Sequence, residues 1–394
     1  MKRMMKKKST KYDWKDIVVI VVVTAITYGL SIIAANTGLL QGGITSINTH
    51  VDSRFSDFYA TVLRSSNKEA SPNITIVSLQ DCQDRNKIAR LIDVIDSLHP
   101  KVIGFDVLLP DQTESDSVLI NSLQQCEHIV LARAVNDSNE LISCPIDDYL
   151  KCKPIGIINS EGRTLLDKER CFKVGFRLFN GDSLDGFAPA VIKWAYPEKY
   201  NALKNRNNET EFINYHRLVK FHCVAWNEII NSEGQNILES DEDFRDKIIL
   251  IGIDNRENPF FTQINEDVHI TPVNEVWSGT RIHAAAIDTI LKDDYVQTSS
   301  SFLIKSIAII VLLFWVWFLF WSRKKLESFE LAISRIVQIV LILLVFWIGI
   351  TFYSKNKYLD FSIITIGMGI SAICFDIIYG FYSNSINKHQ NKAS

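Results

Sequence analysis

Two short runs end in residues that could bind a ligand or hold charge: VIGF followed by Asp106, and LIGI followed by Asp254 and Asn255. Each is a continuous apolar run closed by a carboxylate, the pattern of a buried strand with an acid at its carboxyl end. In open parallel sheets, ligands bind at that edge. Asp111, Asp116 and Thr271 could join the two acids from loops, and Gly252 would let a ligand approach the backbone. Together the carboxylates suit a cation or a basic ligand, with calcium among the candidates because it prefers oxygen donors. The competing expectation is that the same acids cap the helices that follow them.

His283 stands in SGTRIHAAAIDTIL, residues 278–291. As a general base it would need an orienting carboxylate and a nucleophile within hydrogen-bond reach, and no motif supplies either. The spacing reads better as a helix capped by Ser278 or Thr280, with Ile282, Ala285, Ala286 and Ile290 as its buried stripe. His283 then serves packing first and ligand contact second. The chain has no HExxH, GxSxG, GxGxxG or GxxxxGK[ST] motif. His216 and His222 fall on different elements, so no metal centre is expected, nor a cofactor. The expectation is a protein that is not an enzyme.

What must position these residues follows from hydropathy. Four runs are long and apolar enough to cross a bilayer, which takes about 20 helical residues: residues 17–40, 302–321, 336–353 and 361–382. Residues 41–300 form one polar block between the first and second. The first run could be a cleaved signal, since Ala34 and Ala35 lie near its end, but its length favours an uncleaved anchor. The basic tail 1–16, with Lys2, Arg3, Lys6, Lys7, Lys8, Lys11 and Lys15, is expected in the cytoplasm. That orientation puts 41–300 outside and the tail 383–394 inside, in a multi-pass protein of the cell (inner) membrane.

Asp376 lies within the fourth run, where an acid is costly and functional by default. Its expected partners are Arg335, Arg323 or Lys324, with an ion or proton role as the alternative. Thr365, Gly367, Gly369, Ser371 and Ala372 give the same run small residues for close packing, within the chain or in a homo-oligomer.

Residues 41–300 carry 26 Lys and Arg against 39 Asp and Glu, a net charge of 26 − 39 = −13. A block that acidic repels phosphate backbones, which argues against nucleic acid as a partner. Six of the seven cysteines lie in it. Outside the cytoplasm they suggest disulfides, and Cys144 and Cys152, bracketing CPIDDYLKC, are the candidate pair; buried free thiols are the alternative.

Inside the block, strand-like and helix-like runs alternate: 74–79 strand, 84–100 helix, 101–109 strand, 115–126 helix, 128–135 strand. The alternation predicts an α/β fold with a mixed, largely parallel sheet and flanking helices. Further strands are expected at 155–159, 171–179, 211–215 and 247–253. Helices are expected at 182–200, at 222–232 and after residue 278.

The ordered set NITIVSL (73–79), KVIGFDVLLPD (101–111), HIVLARA (128–134), EFINY (211–215), DKIILIG (246–252), Thr271-Pro272 and GTRIHAAAIDTIL (279–291) resembles the CHASE sensory domain of the second type. The layout is similar too: one apolar run, an extracytoplasmic domain, then three runs. Members of that family commonly continue into a cyclase, kinase or diguanylate cyclase, whereas this chain stops about a dozen residues after the fourth run. The resemblance implies a sensor of an extracytoplasmic small ligand or envelope protein that signals through a separate output protein. The alternative is an envelope scaffold that uses the domain as an interaction surface; an extracytoplasmic hydrolase is a third, weaker reading.

Overall fold

The structure is a computed structural model. It describes residues 13–36, 54–64, 70–80, 82–159, 168–217, 220–231, 233–238, 240–254, 268–325 and 330–392. The chain forms two compact units, one made of Ala60–Val296 and one of the residues before and after it. The first helix described is α1 (Trp14–Asn36), and α2 (Phe55–Leu63) follows.

The α/β unit is built on six strands: β1 (Ala70–Ser78), β2 (Val102–Asp106), β3 (Ile129–Arg133), β4 (Ile155–Ile157), β9 (Lys220–Ala225) and β10 (Ile248–Gly252). Their spatial order is β4-β3-β2-β10-β1-β9. Every neighbouring pair runs parallel. A parallel sheet is covered on both faces, which is why its central strands read as unbroken apolar runs rather than alternating ones. In β3 and β10 all five residues are buried.

One face is covered by α3 (Arg85–Ser97) and α4 (Asp116–Gln125). Ile88, Leu91, Ile92 and Ile95 of α3 join Leu119 and Leu123 of α4 in one core with Val77, Ile103, Phe105, Leu131, Ile249 and Ile251. Asp84 starts α3 by accepting a hydrogen bond from the Asn86 amide at 2.9 Å. The opposite face carries α5 (Phe187–Ala195) and α7 (Gly279–Leu291), with α6 (Pro197–Asn205) beside them. Gly156 lets α5 approach closely, since a Cβ there would stand 2.6 Å from the Phe187 Cα.

Short antiparallel ladders complete the unit: β5 (Cys171–Lys173) with β8 (Thr210–Phe212), β6 (Gly175–Arg177) with β7 (Ser183–Asp185), and β11 (Val268–Ile270) with β12 (Val276–Ser278). The single strand expected at 171–179 is therefore two, in different ladders. Residues 182–200 begin as β7 rather than as a helix. Pro189 sits in the first turn of α5, where a missing amide costs little, and Pro197 opens α6 instead of ending its predecessor.

The helix expected at 222–232 is corrected. Lys220–Ala225 is the edge strand β9, paired with β1 through Thr75–His222 and Val77–Val224, and only Trp226–Glu228 form a helical turn, of the 3₁₀ type. Helix-like spacing arose because strand residue Val224 and turn residues Ile229 and Ile230 enter the same core.

The second unit holds α1, α8 (Ser301–Lys325), α9 (Glu330–Tyr353) and α10 (Ser362–Lys392), the four helices among the described residues that are long and apolar enough to cross a membrane. They correspond to the four apolar runs, although residues 37–40 of the first lie outside the described residues. Two polar side chains between these helices find partners on a neighbouring helix. Trp315 Nε1 donates to Ser371 Oγ at 2.7 Å, and Gln338 Nε2 to the Met368 carbonyl at 2.7 Å. Gly367 meets Leu312, so part of the small-residue stripe packs within the chain. A two-stranded ladder, β13 (Gln297–Thr298) with β14 (Lys357–Tyr358), joins the starts of α8 and α10.

Candidate ligand cavity at the carboxyl edge of the sheet

The α/β unit contains a cavity of about 340 Å³ at the carboxyl ends of β2, β4 and β10. Its position follows from topology, because chain segments leaving neighbouring parallel strands diverge and open a crevice there. Asp106 enters it as the last residue of β2. Ile157 and Asn159 come from the end of β4, and Ile253 follows β10. Gly279, Ile282 and His283 contribute the first turn of α7, and Phe187, Ala188 and Pro189 that of α5.

The far side is supplied by the segment entering β5 and by β11. Glu169, Cys171, Phe172 and Lys173 line the cavity, as does His269. The Glu169 amide donates to the Ile270 carbonyl at 2.8 Å, which locks this segment to β11. Glu169 is 2% exposed, and its carboxylate stands 4.0 Å from His269 Nδ1. The Lys173 ammonium lies 4.8 Å from the centre of the Phe176 ring, another wall of the cavity. His283 packs edge-on against Phe187, with ring centroids 5.0 Å apart. The cavity is thus apolar over most of its wall, with Asp106, Glu169, Lys173, His269 and His283 among the residues that line it.

Of the residues singled out from the sequence, Asp106 and His283 line this cavity. The others are placed elsewhere. Asp254 is buried and holds structure together: its carboxylate accepts from Ser278 Oγ at 3.0 Å and from Arg281 Nη2 at 2.8 Å, while its carbonyl accepts from Ser78 Oγ at 2.8 Å. Burial opposes the Arg281 charge, yet the Asp254 carboxylate and the Cys223 sulfur outweigh it and hold the guanidinium pKa above its ordinary value. Gly252 gives room to a side chain rather than a ligand, because a Cβ there would stand 2.2 Å from Thr280 Oγ1. Thr271 is fully buried in a turn, its hydroxyl donating to the Glu275 carbonyl at 2.9 Å. Asp111 is exposed on the loop before α4 and does not line the cavity. Asn255 lies outside the described residues.

Asp116 stands in the first turn of α4, one residue past the N-cap Ser115, and its side chain reaches back to the preceding loop instead of capping the helix amides. It accepts from the Thr113 amide at 2.9 Å and the Thr113 hydroxyl at 2.7 Å, with Arg85 at 3.4 Å. Burial raises its pKa, but these hydrogen bonds and Arg85 bring it below the usual carboxylate value. Asp376 pairs with Arg323 at 3.4 Å, one of the partners expected for it.

The disulfide expected between Cys144 and Cys152 is absent: all seven cysteines are free, Cys144 buried and Cys152 exposed. The loop between them closes by other means. Asp147 accepts from the Cys144 amide at 2.8 Å and pairs with Arg133 at 2.6 Å. Among the described residues no group of three or more His, Cys, Asp or Glu is placed to hold a metal.

Sequence reading missed Glu169, Lys173 and His269. The charged run Lys168-Glu169-Arg170 ahead of CFKVGF was the available signal, since three charged residues leading into an apolar strand are unusual. Nothing in the sequence shows that β11, about 100 residues later, lies beside them.

A covered parallel sheet with a cavity at its carboxyl edge, in a chain with four helices of membrane-spanning length, defines a membrane-associated α/β domain protein. Residues 30–322 match the CHASE2 domain model, well over half of the chain. The chain belongs to the CHASE2 domain family. No curated protein and no solved structure matches it.

Proposed function

We propose that this protein is a multi-pass membrane sensor whose α/β domain faces the outside of the cell, binds a small ligand in its cavity and signals through a separate partner protein. The observation that carries the reading is the cavity itself: about 340 Å³, at the edge where α/β sheets bind ligands, with charged groups set in an apolar wall. The first turn of α7 lines that cavity, and only residues 292–300 connect α7 to α8, the first of three helices of membrane-spanning length. A ligand that bound two arrangements of this helix with different affinity would bias one of them. The protein is not an enzyme in this reading, and it needs no cofactor and no nucleic acid.

The test is thermal denaturation of the full chain in lipid nanodiscs against a broad metabolite library. The sensor reading expects at least one saturable stabilising compound whose effect disappears in Ile253→Trp, which fills the cavity at a partly exposed position. A mild-detergent pull-down through the carboxyl-terminal tail should then recover a kinase, cyclase or other signalling protein. A library without a stabilising compound, together with recovery of envelope proteins alone, would replace the sensor by a scaffold.

A further inference from the structure

Helix α2 is built inside out. Ser56 and Asp57 are each 3% exposed, whereas Phe58 is 48% and Val62 51% exposed. Phe55, Phe58 and Val62 stand at i, i+3 and i+7, so they form one stripe along the helix. In water a surface helix turns such a stripe to the core and its polar residues to solvent. Here the small polar residues are covered, and Asp57 closes the first turn by accepting from the Arg54 amide at 2.9 Å. The aromatic and branched side chains are left outside.

The neighbour of this helix indicates what covers them. Phe346 of α9 packs against both Phe55 and Phe58, with ring centroids 5.3 and 5.5 Å apart. The Tyr59 ring lies 5.9 Å from that of Tyr353 at the end of α9. Between them Gly349 receives the tyrosine, since a Cβ there would stand 2.2 Å from Tyr59 Oη. Phe346 precedes the end of α9 by about two turns, or about 10 Å, within a helix of membrane-spanning length. The surface of α9 around it is exposed and apolar, with Leu343, Leu344 and Trp347.

We propose that α2 is an interfacial helix whose Phe58 and Val62 lie among the lipid acyl chains, beside the exposed face of α9. The occupant follows from continuity: the stripe extends an apolar surface that the bilayer covers along α9, at the depth where amphipathic helices seat their apolar face. At about 14 Å, α2 is too short to cross a bilayer, so hydropathy over long windows passes over it. The α/β unit is then flanked in the chain by two membrane contacts, α2 before β1 and α8 after α7. The proposal rests on the four long helices spanning a bilayer, and it is independent of any ligand in the cavity.

The experiment places the photoreactive residue p-benzoylphenylalanine at position 58 of the full chain in lipid nanodiscs. The same residue at 343, exposed on α9, is the membrane control, and at 118, exposed on α4, the solvent control. Irradiation and mass spectrometry should give acyl-chain adducts at 58 and 343 and none at 118. In parallel, Val62→Cys should react with a charged maleimide at least about tenfold more slowly than the exposed Cys152 of the same molecule. An adduct at 343 without one at 58 overturns the proposal, as does cross-linking of position 58 to a second copy of the chain. Labelling of Val62→Cys at the rate of Cys152 overturns it equally, and this variant decides the matter if the photoreactive one does not fold. Neither readout involves the cavity, so the sensor reading stands or falls separately.

Discussion

Thr280 donates its hydroxyl to the Asp106 carboxylate at 2.8 Å, and Gly252 lies against both. A Cβ on Gly252 would stand 2.2 Å from Thr280 Oγ1 and 3.2 Å from the Asp106 Cβ. The end of β10, the end of β2 and the start of α7 therefore meet in a contact that only glycine permits. This contact holds Asp106 at the rim of the cavity, and it makes the position of α7 sensitive to anything that moves the strand end.

Gly252→Ala is expected to lower the stability of the full chain by about 1–3 kcal/mol through overpacking. It should also weaken any ligand of the cavity, since Asp106 and His283 shift with their elements. Adding Thr280→Ala removes the closest atom and should restore part of the stability but not the hydroxyl bond to Asp106. Urea denaturation of the single and double variants measures both effects. If Gly252→Ala costs nothing, the three elements are not packed as tightly as the structure indicates.

Much of the architecture could be read from the sequence, for a physical reason. The strands of a doubly covered sheet and membrane-spanning helices both advertise themselves as unbroken apolar runs, as IILIG and the four long segments do. The edge was harder. Strand β9 is partly exposed, so its pattern is neither continuous nor alternating, and the following turn supplied apolar residues at helical spacing. The cavity was half legible. Asp106 could be found because it follows a strand directly, whereas Glu169, Lys173 and His269 are gathered by pairing between residues 168 and 270, which leaves no trace in local spacing. Asp254 looked like Asp106 in sequence, and only burial beside Arg281 separates their roles.

His216 should make the α/β unit sensitive to acid. It is 6% exposed, and burial first, then the neighbouring Arg217, lower its pKa to about 4, against an opposing pull from Asp294. In the unfolded chain the imidazole titrates near its ordinary value of about 6.5. Between those two values the unfolded state takes up a proton that the native state refuses. Stability is therefore undiminished above about pH 6.5, falls as the pH drops through the window, and levels off with respect to this group below about pH 4. The loss is on the order of 3 kcal/mol. Urea midpoints of the full chain at pH 7.5, 6 and 5 should decline more steeply than those of His216→Gln. Parallel declines would assign the acid sensitivity to other groups.

The thiols should report the fold directly. Cys152 is exposed, Cys144 is buried, and Cys126 is buried with its pKa pushed up to about 12 by burial and by Asp96. At neutral pH the thiolate fraction of Cys126 is then on the order of 10⁻⁵. A maleimide should label native protein at Cys152 within minutes and reach Cys126 and Cys144 only after denaturation. Mass spectrometry without reductant is expected to yield separate peptides for Cys144 and Cys152. A linked peptide would reinstate the disulfide that residues 144–152 suggest by sequence alone.

Two acids in the helical unit should behave oppositely. Asp16 of α1 is 4% exposed at its side chain, accepts from Tyr382 Oη of α10 at 2.8 Å and from Lys324 Nζ of α8 at 2.5 Å, and so ties three helices together. Asp376 of α10 is 45% exposed and makes one looser contact with Arg323. Asp16→Ala removes the acceptor shared by Lys324 and the Tyr382 hydroxyl, which should cost about 2 kcal/mol and reduce the amount of folded protein in the membrane. Asp376→Asn gives up an ion pair worth about 1 kcal/mol or less, so melting temperature in detergent and membrane expression should stay close to wild type. If signalling to the partner is lost in Asp376→Asn while both of those are preserved, the acid serves output rather than folding. If its expression falls as far as that of Asp16→Ala, the pair with Arg323 is structural.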